Sequence, residues 1–198
     1  YVGGPRSDAG LMAASGGTAT TKAMGKGSTQ FQHLIETEVP PKRLADWLKI
    51  WAGHYGLDAK LKVSLKPHIA GSELLELTSS DEQNTKMANI IFATLQDRRD
   101  RSMLSIRDQN TFNENFRQKR LMTLVSLFLI HRYKVDSVHY VTPTEDNLRQ
   151  AEGMRGLGLY EDIQTEIGQI IVARVNTERV KELVTPDSEA LQQLIAKT

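Results

Sequence analysis

Residues 116–133 read FRQKRLMTLVSLFLIHRY, and this stretch decides the fold. After the polar run 117–120 comes 121–130, apolar except for Thr123 and Ser126. A helix with that composition has no solvated side, so it belongs at the centre of a layered domain. At ten residues the apolar run is too short to span a bilayer. The pattern predicts a helix over 116–133, and the segments on either side read as strands. Leu61, Val63 and Leu65 alternate with Lys62, Ser64 and Lys66 up to Pro67, a half-buried strand. Further strands are expected over 73–78, 90–95 and 102–107, the last two separated by the turn Asp97-Arg98-Arg99-Asp100-Arg101. Beyond the central helix, Val138 and Tyr140 mark a strand over 137–142 that Pro143 ends. Thr144 starts a helix that fades between Gly153 and Gly158. Two strands, 160–166 and 169–175, then meet at Gly168, and short helices centre on Arg179 and Leu191.

Ahead of the strands, Pro40-Pro41 is a fitting helix start. Leu44, Trp47, Leu48, Trp51 and Tyr55 recur at three- and four-residue spacing, so 42–55 is an amphipathic helix ended by Gly53 and Gly56. Four consecutive strands, a long helix, a strand, a helix and a hairpin indicate an α/β (α+β) domain. Its sheet is mixed and mostly antiparallel, with helices flanking it. The unit over 102–142 should be a right-handed parallel crossover.

Bulk properties narrow the function classes. The 198 residues carry 25 Lys+Arg against 24 Asp+Glu, a net charge of +1, without the clustered basic excess of a nucleic-acid or membrane binder. No cysteine is present, which excludes disulfide stapling, thiol catalysis and cysteine metal sites. The five histidines, His33, His54, His68, His131 and His139, lack metal-ligand spacing, and no metal site is expected. The start, Tyr1-Val2-Gly3-Gly4-Pro5, has neither an initiator methionine nor a signal-peptide core, so the chain is read as a C-terminal piece of a longer cytoplasmic protein.

Residues 1–33 form a tail of different character. The segment 15–30, SGGTATTKAMGKGSTQ, has four glycines, six hydroxyl side chains and almost no bulky apolar residue. Such a segment is a linker or a flap over a polar ligand. Its order, Gly-Gly-Thr, small and hydroxyl residues, then Gly-Ser-Thr-Gln, resembles the C-terminal lid of isocitrate lyase. In that family the lid closes over the active site of a neighbouring subunit. The resemblance implies that Thr18, Thr20, Thr21, Ser28 and Thr29 hydrogen-bond carboxylates and exclude water on closure. The family's Lys-Lys-Cys-Gly-His signature has no counterpart here, so no catalytic lyase residue is expected in this chain.

The later element order resembles the acyl-CoA-dependent N-acetyltransferase (GNAT) superfamily. There a central strand feeds a helix whose N-terminus holds the CoA pyrophosphate. Residues 147–159, NLRQAEGMRGLGL, are similar to that family's Asn…Leu-Tyr-x-x-Leu-Gly-Phe pattern. Asn147 takes the asparagine and Leu157-Gly158-Leu159 the Leu-Gly-Phe. Met154 stands where the family has its general-acid tyrosine, and a thioether has no proton to give.

The pyrophosphate pattern Arg/Gln-x-x-Gly-x-Gly/Ala falls on Arg117-Gln118-Lys119-Arg120-Leu121-Met122, without a glycine. Two readings stand side by side. The cations replace glycine amides as phosphate contacts, or they are a solvated first turn. The candidate CoA-binding set is Arg117, Gln118, Lys119, Arg120 and Asn147, with Ile106, Arg107 and Asp108 at the end of the central strand. Asp108 and Asn110 sit where parallel-strand ligand sites form.

Taken together, the resemblances imply a long-form isocitrate lyase, with 1–33 as the lid-bearing tail and 34–198 as a GNAT-like regulatory domain. The parent would cleave isocitrate to glyoxylate and succinate in the glyoxylate cycle, with Mg²⁺ bound by residues absent here. Acetyl-CoA or propionyl-CoA would act as allosteric effector without acyl transfer. The implied partners are the lyase catalytic domain and further copies, a tetramer with dimerised C-terminal domains, with no nucleic acid and no membrane. The alternatives are an active N-acetyltransferase using Tyr160 as proton donor, and a ligand-free oligomerisation domain.

Overall fold

The computed structural model describes residues 39–58, 60–81, 83–96, 98–166, 170–185 and 189–196. The expected lid (15–30), His33, the start of the turn at Asp97 and Gly168 lie outside the described residues.

The first helix, α1 (Pro41–His54), begins with Pro41 at a position that needs no N–H donor and buries Leu44, Trp47, Leu48, Trp51 and Ala52. Seven strands follow in one sheet: β1 (Leu61–Pro67), β2 (Glu73–Ser79), β3 (Lys86–Gln96), β4 (Ser102–Thr111), β5 (Ser137–Tyr140), β6 (Tyr160–Glu166) and β7 (Ile170–Val175). Their order across the sheet is β1-β2-β3-β4-β5-β7-β6. Every pairing is antiparallel except β4 with β5. That exception is the expected crossover, made by α2 (Leu121–Tyr133). The remaining helices are α3 (Glu145–Gly156), α4 (Thr177–Val184) and α5 (Glu189–Ala196). The chain is thus mixed α/β with a mostly antiparallel sheet flanked by helices.

Burial follows the alternation. Leu75, Leu77, Ile90, Phe92, Leu104, Ile106, Val138 and Tyr140 point into one core cluster with residues from all five helices. Lys62, Ser64 and Lys66 of β1 face solvent. Helix α2 is buried almost all round, with Leu127, Phe128 and Leu129 fully enclosed and the rings of Trp47 and Phe128 meeting edge to face, their centroids 6.2 Å apart.

Among the boundaries that differ from the sequence reading, three shape the site. Helix α2 starts at Leu121, not at 116: Glu114–Phe116 is a 3₁₀ turn, Arg117 is extended, and Gln118 and Arg120 are left-handed at φ 59° and 61°. The strand β4 runs on to Thr111, so Asp108 and Asn110 lie within it. Strand β5 stops at Tyr140.

Candidate functional site

The strands β4 and β5 pair from Met103 opposite Ser137 to Ile106 opposite Tyr140, and a final bond joins Val141 N–H to the Ile106 carbonyl at 3.1 Å. On the other side of β4 the register slips between Ile91 and Phe92. Ile91 faces Asp108 and Phe92 faces Ile106, which leaves Arg107 as an extra residue. Such a bulge bends and twists its strand. Beyond it β4 continues as far as Thr111 while β5 has ended, and the two part company. A cavity of about 960 Å³ opens at this split.

Its charged and amide-bearing lining residues come from three places. From β4 come Ile106, Arg107, Asp108, Gln109 and Asn110. The loop ahead of α2 contributes Arg117, Gln118 and Arg120, and α3 contributes Asp146, Asn147, Arg149 and Gln150. Four arginines thus face two aspartates, an excess of positive charge. Arg149 shares part of its charge with Asp146 at 3.2 Å, an exposed pair of small energetic weight.

The start of α2 adds to the positive field. Its N-cap is Arg120, with no side-chain cap and no acidic residue in the first turn. The first N–H groups of a helix have no intrahelical acceptor and carry the positive end of its dipole. The backbone also adopts left-handed φ at 118 and 120, where a glycine would be expected. For a side-chain-bearing residue that conformation costs about 1–2 kcal/mol. The surrounding hydrogen bonds hold it there: Trp51 Nε1 donates to the Lys119 carbonyl at 2.7 Å, Arg117 Nε to the Thr111 carbonyl at 3.1 Å, and Arg120 Nη1 to the Leu194 carbonyl at 3.2 Å.

Seven of the eight candidate CoA-contacting residues border the cavity: Ile106, Arg107, Asp108, Arg117, Gln118, Arg120 and Asn147. Lys119 does not. Its carbonyl accepts from Trp51 Nε1, and the residue is absent from the cavity lining. Asn147 is engaged in a capping box, its Oδ1 accepting from Thr144 N–H at 2.9 Å while Thr144 Oγ1 accepts from Asn147 N–H at 3.3 Å. Sequence reasoning missed Gln109, Gln150 and Ser126. Gln109 Nε2 donates to Gln150 Oε1 at 2.6 Å, and Gln150 Nε2 donates to Ser126 Oγ at 3.3 Å. The chain pins the Gln109 amide, whose Oε1 is buried without a partner among the described residues. Gln150, at Asn147+3 on the same helix, was the one available signal; for Gln109 the bulge hid the facing.

The core-facing wall beneath α3 is closed. Met154 is fully buried, and Tyr160 is 2% exposed with its hydroxyl 2.8 Å from that of Tyr140. Neither Met154 nor Tyr160 lines the cavity. Burial pushes the Tyr160 hydroxyl far above its ordinary pKa, and the neighbouring Tyr140 adds to this. Burial raises Tyr140 as well, against the effect of its hydrogen bond to Tyr160.

Comparison with known proteins bears on the whole chain. Isocitrate lyase 2 of Mycobacterium tuberculosis (strain Erdman) is 59% identical over 196 residues, covering 99% of this chain. The counterpart of this chain is the C-terminal region of an isocitrate lyase. A shorter isocitrate lyase polypeptide of M. tuberculosis (strain H37Rv) matches equally, at 59% over 196 residues. The chain spans 49% of that polypeptide and 26% of isocitrate lyase 2, so much of each isocitrate lyase relative has no equivalent in it. No family profile matches the chain. Among solved structures, a GNAT-family acetyltransferase from Staphylococcus aureus Mu50 is 11% identical and overlaps 70% of this chain and 96% of its own, with a TM-score of 0.37. Among the described residues no cluster of three or more His, Cys, Asp or Glu could hold a metal ion, and no helix is long and apolar enough to cross a membrane.

Proposed function

We propose that the cavity binds an acyl-CoA, acetyl-CoA or propionyl-CoA, and that this region regulates a longer isocitrate lyase which converts isocitrate to glyoxylate and succinate. The observation that carries the reading is the uncapped start of α2. It opens, ringed by Arg107, Arg117, Arg120 and Arg149, into a cavity of about 960 Å³ where β4 and β5 separate. Helix N-termini backed by arginines suit phosphate oxygens.

In this reading the residues bind and do not transfer. Proton donation to a departing thiolate needs a hydroxyl within reach. Met154 has none, and the Tyr160 hydroxyl is buried against Tyr140 outside the cavity lining. The effect on the lyase is a population shift: ligand binding favours one packing of the region and so biases closure of the lid carried by Thr18, Thr20, Thr21, Ser28 and Thr29. A coupling of about 1–3 kcal/mol suffices to change activity appreciably. The partners are the lyase catalytic domain, which holds the Mg²⁺, and further copies in a cytoplasmic tetramer with paired C-terminal domains.

Calorimetric titration with acetyl-CoA, and with free CoA as control, tests the ligand. Saturable binding is expected, weakened about tenfold in Arg117→Ala, as the loss of one charge-assisted contact requires. A folded chain that takes up no heat, and whose melting temperature ignores millimolar acetyl-CoA, would return the region to a ligand-free assembly role.

A further inference from the structure

Arg120 serves two parts of the molecule at once. It begins α2 and borders the cavity, yet its Nη1 donates to the carbonyl of Leu194 at 3.2 Å. Leu194 lies in the last turn of α5, where carbonyls have no intrahelical donor and a cation suits the dipole. The last turn of α5 has no basic residue of its own. Among the described residues, a cation at this helix end is supplied from the cavity rim, 74 residues earlier in the chain. With eight residues α5 is too short to hold its shape alone. It rests on the burial of Leu191, Leu194 and Ile195 and on that bond.

We infer that Arg120 is a switch between the cavity and the C-terminal helix. A phosphate-bearing ligand draws the guanidinium away from Leu194, and the end of α5 loosens. The inference rests on the ligand reading above and adds the route by which binding is felt elsewhere. A charged phosphate in a half-buried site is the stronger partner for an arginine fork than a neutral carbonyl. The side chain can change partner by rotation, because two bonds to backbone carbonyls keep the loop in place: Trp51 Nε1 to that of Lys119, and Leu124 N–H to that of Arg120 at 3.0 Å. Helix α5 packs on α1 and α4, so its loosening reaches both helices.

Hydrogen exchange on the chain, read by mass spectrometry, tests this with acetyl-CoA and with inorganic pyrophosphate as probes. Saturating acetyl-CoA should slow exchange at 118–124 and speed it roughly fivefold at 191–196, the effect of losing one capping bond. Arg120→Gly keeps the left-handed backbone without the guanidinium. Its α5 should exchange at the fast rate already without ligand and respond no further. Arg117→Ala, with the cap intact, should show slow α5 exchange until ligand saturates. Protection at 118–124 with α5 unchanged or slower would overturn the switch and leave the ligand reading intact. No protection at 118–124 with either probe would overturn both.

Discussion

The loop at 117–120 and the wall beneath α3 border the same core and are built on opposite rules. The loop is polar, carries two left-handed side-chain-bearing residues, and ends in a helix start without a cap. The wall is sealed: Met154 and Ala151 are fully buried, and the Tyr140 and Tyr160 hydroxyls bond only to each other among the described contacts. Backbone strain persists only where surrounding structure over-determines it, and here three hydrogen bonds tie the loop to Trp51, Thr111 and Leu194. The wall stores no such tension. The difference teaches that a split sheet can keep a positively charged mouth while the place where a proton donor would stand is filled with core.

The largest effect should come from removing what holds the loop. Trp51→Ala deletes a fully buried ring that packs edge-on against Phe116 at 5.3 Å and also removes the donor to Lys119. It should cost about 3–5 kcal/mol in urea unfolding, and Trp51→Phe should recover most of that. A loss below about 1 kcal/mol would mean that α1 does not support the loop.

Tyr160→Phe sharpens the other side. It leaves the Tyr140 hydroxyl buried without its partner and should cost about 1–3 kcal/mol, while the double change to phenylalanine should be milder than the single one. Neither should alter acyl-CoA turnover. An acyl-transfer rate that fell with Tyr160→Phe would break the contrast between mouth and wall.

A smaller gain is expected at the strained position. Gln118→Gly should stabilise by about 0.5–1 kcal/mol, since glycine accepts a φ of 59° freely, whereas Lys119→Gly should destabilise. Calorimetric melting distinguishes the two.

The smallest effect is the pH response at the far end of α2. Burial, with Arg43 and Lys134 nearby, lowers the pKa of His131 from its ordinary 6.5. The folded state therefore binds that proton less readily than the unfolded chain does. The contribution to stability is complete above about 6.5 and is lost as pH falls toward the lowered folded value. Melting temperatures should drop between pH 7 and 5, and His131→Gln should flatten that slope.

Much of the fold was legible because alternation and helical spacing are local signals. The strand of Leu61, Val63 and Leu65, the helix of Leu44, Trp47, Leu48 and Trp51, and the start of α3 at Thr144 all stand where their patterns put them. The start of α2 did not, because Arg117, Gln118, Lys119 and Arg120 are good helix formers whose propensity is overridden by long-range bonds to Trp51 and Leu194. The bond from Trp51 to the Lys119 carbonyl was equally hidden, since it joins residues 68 positions apart.

By itself the sequence determined the order of elements, the buried centre at 121–130, the lack of thiol chemistry and the absence of a tyrosine at 154. These depend on side-chain identity and on spacings of a few residues. Only the tertiary structure decided that Arg107 bulges out, that β4 outruns β5 to open a cavity, that Gln109 is locked by Gln150, and that Arg120 reaches Leu194. Each of these joins residues far apart in the chain, and their register and facing come from packing the whole sheet against its helices, which no local pattern encodes.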